Sequence, residues 1–302
     1  MKREIYWHLP GLCYFRFLNQ ILLNLMEKYP ESFHEGYKIG SVYGSFPGAI
    51  WNGGRSVFGL TSKTDMGKII SAYNQKGVPV RFTWTNSLLE EKHLQDTYCN
   101  LIMEQARGGM NQVLANVPIL EQYLRNTYPD FKVISSTTKR LVDREKLKEE
   151  MERDYHLVVL DYDLNHDESV LSMLEPYADK VEILVNEICE PNCPMRQAHY
   201  ANQSLAQLTF DPNLPFKCPH DTSHRTFEEC KKRPAFISRE QIAEYGERGF
   251  VNFKIVGRGL PMEFAKESYL YYLVKEEYQS FIRGKIDRAL ADLSRQGGQI
   301  KR

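Results

Sequence analysis

The sequence predicts one α/β domain over residues 1–302, a (β/α)8 or TIM barrel. Three observations predict it. Strand-like and helix-like patterns alternate eight times along the chain. The length of 302 residues suits a barrel core of about 250 residues with one elaborated loop. The competing open, doubly wound sheet would show a dinucleotide glycine fingerprint after its first strand, and no such motif follows it.

Glu4 to Leu9 opens the chain as a short strand. After Pro10-Gly11, Phe15, Leu18, Leu22 and Leu25 recur at the helical period. Tyr37 to Val42 is the second strand, and Thr64-Asp65 caps a helix through Tyr73 that Gly77 ends. Val78 to Trp84 is the third, with Pro79 near its start, where a missing N–H matters least. Leu88 to Arg107 reads as one helix with Leu94, Tyr98, Leu101 and Ile102 on a face. Gln112 to Ala115 and Phe131 to Ser135 are the fourth and fifth strands, separated by a helix over Ile119 to Asn126. A charged helix from Asp143 to Arg153 leads to a sixth strand, His156 to Leu160, and a helix begins near Asp167. Val181 to Val185 is the seventh strand. A long irregular insertion over residues 186–236 follows. Ser238 and Gln241 form a capping box for the next helix, and Gly249 sits at its C-terminal cap. Phe250 to Val256 is the eighth strand, and one long final helix buries Leu270, Leu273, Val274, Tyr278, Phe281, Ile282 and Ile286.

Composition excludes several function classes. Apolar residues make up 42% and charged residues 26%, as in ordinary globular chains, which argues against wholesale disorder. Lys plus Arg equals Asp plus Glu at 39 each, which excludes a nucleic-acid binder working through bulk positive charge and leaves room for a local basic groove. No run of eighteen apolar residues exists, and the opening Met-Lys-Arg-Glu lacks a signal-peptide core. No membrane insertion and a soluble, cytoplasmic chain are expected.

Six cysteines are too few for a disulfide scaffold, and four of them, Cys189, Cys193, Cys218 and Cys230, crowd into the insertion. In a reducing cytoplasm such clustering points to metal ligands. Four thiolates can close a tetrahedral zinc site or hold a cubane iron–sulfur cluster. Three residues separate the first pair and eleven the second. His199, His220 and His224 lie in the same stretch and offer a replacement donor. Cys13 and Cys99 sit alone in apolar helical patterns and read as small buried hydrophobes.

In a barrel, chemistry gathers where strands end. Those ends carry Tyr43, Trp84, Asn86, Asp161, Asp163, Glu187, Lys254 and Arg258. A second constellation, Tyr43-Gly44-Ser45-Phe46-Pro47-Gly48-Ala49-Ile50-Trp51-Asn52-Gly53-Gly54-Arg55, combines glycines that let backbone approach a ligand, aromatics that stack and an arginine that pairs with an anion. Alternate residues at a strand end face opposite ways, so at most one of Asp161 and Asp163 is expected to face the site.

From the seventh strand onward, the order of features resembles the collagenase-like "U" peptidase family. The residues that carry it are Val181 to Cys189 with Cys193, the second cysteine pair, Ile237 to Gly249, and Phe253-Lys254-Ile255-Val256-Gly257-Arg258. The resemblance implies a TIM barrel whose four cysteines hold a 4Fe-4S cluster. It also implies, despite the peptidase name, an oxygen-independent hydroxylase of transfer RNA, ribosomal RNA or the ubiquinone ring, some members taking the oxygen from prephenate. Two departures stand out: Glu-Pro-Asn replaces a longer Gly-rich stretch between the first two cysteines, and Val256 replaces a Glu.

The expected site follows. A 4Fe-4S cluster, or alternatively zinc, is held by Cys189, Cys193, Cys218 and Cys230. Arg55, Arg258 and Lys254 bind a small anionic cosubstrate. Glu187 or Asp161 handles protons. Tyr43, Trp51 and Trp84 stack on an RNA base or another aromatic substrate, with Asn86 in the wall. The alternatives are a zinc-stapled, non-catalytic barrel that binds a partner, and a collagenase-like peptidase, for which no nucleophile–base pair is evident.

Overall fold

Eight parallel strands, each paired with its sequence neighbour, close into a barrel when β8 pairs with β1. The computed structural model of the chain describes residues 3–214, 216–220, 225–257 and 259–297. The strands are β1 (Ile5–Pro10), β2 (Tyr37–Gly44), β3 (Val80–Trp84), β4 (Gln112–Ala115), β5 (Lys132–Ser135), β6 (Leu157–Val159), β7 (Val181–Leu184) and β8 (Asn252–Lys254). Helices α1 (Arg16–Lys28), α2 (Lys63–Asn74), α3 (Thr97–Gln105), α4 (Pro118–Thr127), α5 (Arg144–Glu152) and α6 (Glu168–Leu174) follow the first six strands in turn. Between β7 and β8 come α7 (Arg196–Thr209), α8 (Phe227–Cys230) and α9 (Arg239–Glu247), and after β8 come α10 (Met262–Leu273) and α11 (Gln279–Gly297). The expected (β/α)8 fold is present.

Strand parity sorts the side chains into two cores. Val80, Phe82 and Trp84 on β3, like Ile183 on β7 and Phe253 on β8, face the helices and join the large outer core. Leu114, Ile134, Leu157, Val159 and Leu184 face inward and form a separate apolar cluster inside the barrel. This cluster fills only the β4–β7 side. The remaining side is filled by His8 of β1, Arg81 of β3, Glu182 of β7, and Asn252 and Lys254 of β8, all buried.

Three elements differ from the sequence expectation, each for a local reason. The helix expected over Leu88 to Arg107 starts only at Thr97, because the Asp96 side chain accepts from Cys99 N and caps a new start. The single final helix is broken at Val274, which takes an extended backbone and bridges Phe33, while Lys275 N donates to Ser32 O. Ile282 and Ile286 stay buried, but Phe281 is exposed. The insertion after β7 is not irregular throughout: α7 spans 14 residues. The capping box at Ser238 forms, and Gly249, with φ of 100°, ends α9 as expected.

Candidate active site and cysteine cavity

The polar half of the barrel interior is built around one carboxylate. Glu182 lies against Arg81, whose Nη1 donates to Oε2, and against Lys254, whose Nζ stands 3.1 Å from Oε1. Arg81 also donates through Nε to Gln112 Oε1 at 2.8 Å and through Nη2 to His8 Nδ1 at 3.0 Å. That bond fixes the neutral tautomer, leaving the His8 proton on Nε2, 3.4 Å from Asn252 Oδ1. Burial, reinforced by Arg81, lowers the His8 pKa to about 3, so the ring is neutral. Burial alone would raise the Glu182 pKa, but Arg81, Lys254 and His8 outweigh it and hold the carboxyl well below its usual range.

Above this cluster, at the C-terminal ends of the strands, lies the mouth. Its cavity is lined by Tyr43, Arg55, Thr85, Glu187, Tyr200 and Lys254, among others. Lys254 Nζ sits 4.5 Å from the centre of the Tyr43 ring, and the Tyr43 hydroxyl donates to Ile255 O at 2.7 Å. Glu187 Oε1 accepts from the N–H groups of Ile188 and Cys189, both at 3.0 Å. The Thr85 hydroxyl is buried with no hydrogen-bond partner among the described residues. A larger hollow of about 720 Å³ opens at the opposite end of the barrel, lined by His8, Lys132 and His156. In this fold, however, chemistry belongs to the strands' C-terminal ends.

The insertion folds back over the mouth. Gln203 Oε1 accepts from Ser56 N at 3.0 Å and Gln207 Oε1 from Val57 N at 2.7 Å, tying α7 to the loop after β2. Asn86 Nδ2 donates to Ser204 O at 3.1 Å, tying α7 to the loop after β3. These bonds carry Tyr200 into the mouth. Beside α7, Cys189, Cys193, Cys218, His199 and His220 line a second, small cavity with Arg196, Arg225 and Arg233. Cys193 Sγ is 3.6 Å from His220 Nε2. Burial and the neighbouring Glu187 push the Cys189 thiol well up, so it is not an activated nucleophile.

Several expected site residues stand elsewhere. Trp51 and Trp84 do not face the mouth; both are fully buried in the outer core. Trp84 stacks on Phe82 at 5.2 Å, and Trp51 packs edge-on against Trp84 and donates to His93 O. Trp84 lies on the side of β3 that points to the helices, and Trp51, from the loop after β2, packs against it there, so neither can stack on a substrate. Asn86 is likewise buried and spends its amide on Ile50 O and Ser204 O. Asp161 and Asp163 do not split to opposite faces. β6 ends at Val159, and Asp161 caps a tight turn, accepting from Asp163 N, so both carboxylates meet Arg140. Asp163 also accepts from Asn192 N at 3.0 Å, which anchors the cysteine loop. Asp161 is buried in that ion pair, outside the mouth lining, and is a scaffold group as placed. Cys13 is half-buried while Cys99 is fully buried. Arg258 and His224 lie outside the described residues.

Ser136 was legible as a strand end; the polar mouth residues that sequence reasoning missed are Thr83, Thr85, Thr137, Thr138 and Tyr200. Thr83 and Thr85 were readable by parity, because they alternate with Phe82 and Trp84. Tyr200 reaches the mouth from the insertion helix, where no strand-end rule applies.

No family model matches the chain. An uncharacterized protease of Methanocaldococcus jannaschii is 26% identical over 242 residues, covering 77% of this chain and 71% of that protein. The solved structure of the U32 peptidase Mk0906 superposes with a TM-score of 0.54 at 16% identity, covering 86% of this chain and 95% of the other. The chain is thus similar in sequence to that archaeal protease and similar in fold to a U32 peptidase. The sequence reading expects Cys189, Cys193, Cys218 and Cys230 to share one metal centre. Three of them, Cys189, Cys193 and Cys218, do line one cavity, and His220 lines it with them. In donor type this set fits a thiolate-bound metal. As placed, no group of three or more His, Cys, Asp or Glu side chains among the described residues is drawn close enough to hold an ion. Cys230 stands apart, fully buried, with its Sγ donating to Asn186 O at 3.2 Å. No helix among the described residues is long and apolar enough to cross a membrane.

Proposed function

We propose that this chain is a distant relative of the U32 peptidases and an enzyme that binds a small anionic cosubstrate in the barrel mouth, beside a metal centre in the cysteine loop. The supporting observation is the mouth cavity itself. Arg55, Lys254 and the unpartnered hydroxyl of Thr85 line one hollow with Glu187, Tyr43 and Tyr200. An unmatched buried hydroxyl is costly unless a ligand satisfies it. Arg55 donates only to the backbone of Gly54 among the described residues, leaving donors for a carboxylate. Glu187 is the acid or base of the site, and Tyr43 and Tyr200 supply flat faces for an aromatic or nucleobase substrate.

The reaction class we infer is an oxygen-independent hydroxylation, with the anionic cosubstrate as oxygen source. Cys189, Cys193 and Cys218 would hold a 4Fe-4S cluster, or zinc in its place; when bound, the cluster supplies a Lewis acid or an electron relay. Residues 186–236 then serve as the metal-binding insertion. The chain's own groups bind the anion, orient the ring and, through α7, cover the mouth against water. All six cysteines are free, which suits a reducing cytoplasm. The peptidase reading rests on the relatives' names, and against it stands a mouth whose described lining residues include no histidine to serve as base.

The test is calorimetric titration of the purified protein with an aromatic dicarboxylate, paired with a peptide-hydrolysis assay. Binding that Arg55→Ala weakens at least 10-fold, about 1.4 kcal/mol, supports the site. Peptide hydrolysis abolished by Glu187→Gln, with no anion binding, overturns it in favour of a peptidase.

A further inference from the structure

We propose that a hollow beside the barrel mouth, walled by the segments that follow β1, β2 and β8, binds the apolar body of the anionic cosubstrate, which is therefore a carboxylate with an extended apolar tail. The inference rests on the anion-binding reading of the mouth and names the ligand class that reading leaves open. The hollow measures about 640 Å³, within the range of about 300–1,000 Å³ usual for small-molecule sites, whereas the mouth cavity measures about 70 Å³. The mouth has room for a charged head and little else. Arg55 is the one described residue that lines both.

The walls account for the tail. Leu12 and Phe15 come from the turn after β1, Val57 and Phe58 from the loop after β2, and Leu260 and Pro261 from the connection between β8 and α10. Among the described lining residues Arg55 is the sole charged group, so no carboxylate of the protein opposes an anion there. The two serine hydroxyls in the wall are already spent: Ser45 Oγ donates to Phe46 O at 3.0 Å, and Ser56 Oγ donates to Gln203 Oε1 at 2.6 Å. A sugar or a nucleobase would find few partners for its polar edges in this wall, while a methylene chain needs none. Tyr14 and Phe58 form the rim and are 72% and 37% exposed, an aromatic surface open to a ligand.

Arg55 is placed at the junction from two sides. Its loop is tied to α7 through Gln203 and Gln207, which accept from Ser56 N and Val57 N. From the β8 side Gly259, at φ of 75°, comes so near that a Cβ there would stand 3.1 Å from Arg55 Nε. Arg55 Nη1 donates to Gly54 O at 2.8 Å, and among the described residues no acceptor meets its Nε or Nη2, which leaves that edge of the guanidinium for a carboxylate. A head held there points its tail into the hollow and leaves the faces of Tyr43 and Tyr200 to the second substrate.

Calorimetric titration of the purified full-length chain at pH 7 with acetate, succinate, octanoate and uridine monophosphate tests this. Each buried methylene is worth about 4-fold in affinity, so octanoate should bind at least 30-fold more tightly than acetate. A Tyr14→Ala, Phe58→Ala double variant, changed only at the exposed rim, should lose at least 5-fold in octanoate affinity and keep its succinate affinity; thermal melting checks that it stays folded. Arg55→Ala should weaken both carboxylates at least 10-fold. Octanoate binding no tighter than succinate, with Arg55 still required for both, overturns the tail site and leaves the anion reading standing. Uridine monophosphate binding more tightly than octanoate, and weakened in the rim variant, assigns the hollow to a nucleobase and also overturns the inference. If no carboxylate binds in an Arg55-dependent way, the anion reading falls and the inference with it.

Discussion

Replacing Glu182 by Gln tests the charge balance inside the barrel. The substitution keeps the volume and removes the only carboxylate that faces Arg81 and Lys254 in the described interior. Glu182 and Arg81 side chains are fully buried and Lys254 is 7% exposed, so water cannot replace the lost partner. Breaking a buried pair in this way costs about 3–5 kcal/mol, because the surviving cations are left desolvated. For a chain of this size each kcal/mol lowers Tm by roughly 2–4 °C, giving a fall of about 6–20 °C. Calorimetry and urea titration at neutral pH measure it. The carboxyl is held below its ordinary value of 4.5, so its stabilisation is complete at pH 7 and is lost only as pH falls below about 4.5. Removing Arg81 as well, in an Arg81→Met, Glu182→Gln double variant, should recover part of the loss. The two changes together should cost at least about 2 kcal/mol less than their sum. A Glu182→Gln cost under about 1 kcal/mol, or strict additivity in the double variant, refutes the account.

His8 carries a pH signature: its pKa is lowered to about 3 in the folded state, so below about 6.5 the unfolded chain binds a proton that the folded chain refuses. Stability should fall by about 1.4 kcal/mol per pH unit between roughly pH 6 and 4 from this group alone, and His8→Gln should remove that slope in denaturation series. Trp84→Phe should lower stability by about 1–3 kcal/mol without changing anion affinity in calorimetric titration, since the ring packs among the helices; a selective loss of affinity would return Trp84 to the site. Gly53→Ala should both destabilise, by about 1–3 kcal/mol, and weaken anion binding, because its new Cβ would lie 2.2 Å from Thr85 O and push the Arg55 loop off β3. Gly77→Ala is the control: with φ of 70° and open space around it, it costs about 1 kcal/mol of strain and should leave binding untouched.

The barrel was legible because each strand carries its own evidence. Gln112–Ala115 formed just where four residues between helical runs required it, and Ser238 with Gln241 announced α9 through a contact three residues long. What could not be read were contacts between distant segments. The break between α10 and α11 comes from Val274 pairing with Phe33, some 240 positions earlier, within a stretch whose own period is helical. The misreading of Trp84 has a different origin. Its place at a strand end was correct, but the inward set on β3 is Arg81 and Thr83, continued past its end by Thr85, and bulky aromatics at the other parity belong against helices. A parity rule applied to β3 and β7 together would also have found Arg81 and Glu182 facing one another across the barrel.

The same parity explains why the two cavities are adjacent. β7 ends with Leu184 pointing inward at Lys254's level, and the chain then runs through Asn186 and Glu187 into Cys189. Glu187 is therefore at once a wall of the mouth and the acceptor that fixes the Cys189 backbone. Any group bound by the cysteine loop would sit within a few residues of the carboxylate that lines the mouth, with Asp163 holding the far side of the loop through Asn192. Arg55 faces the same junction from β2's loop, which α7 ties down through Gln203 and Gln207. Charge, donor and cover thus arrive from three separate segments, and each is placed by hydrogen bonds to backbone. If the mouth takes the proposed anion, a change to the insertion should therefore alter its affinity in calorimetric titration even where it touches no mouth residue.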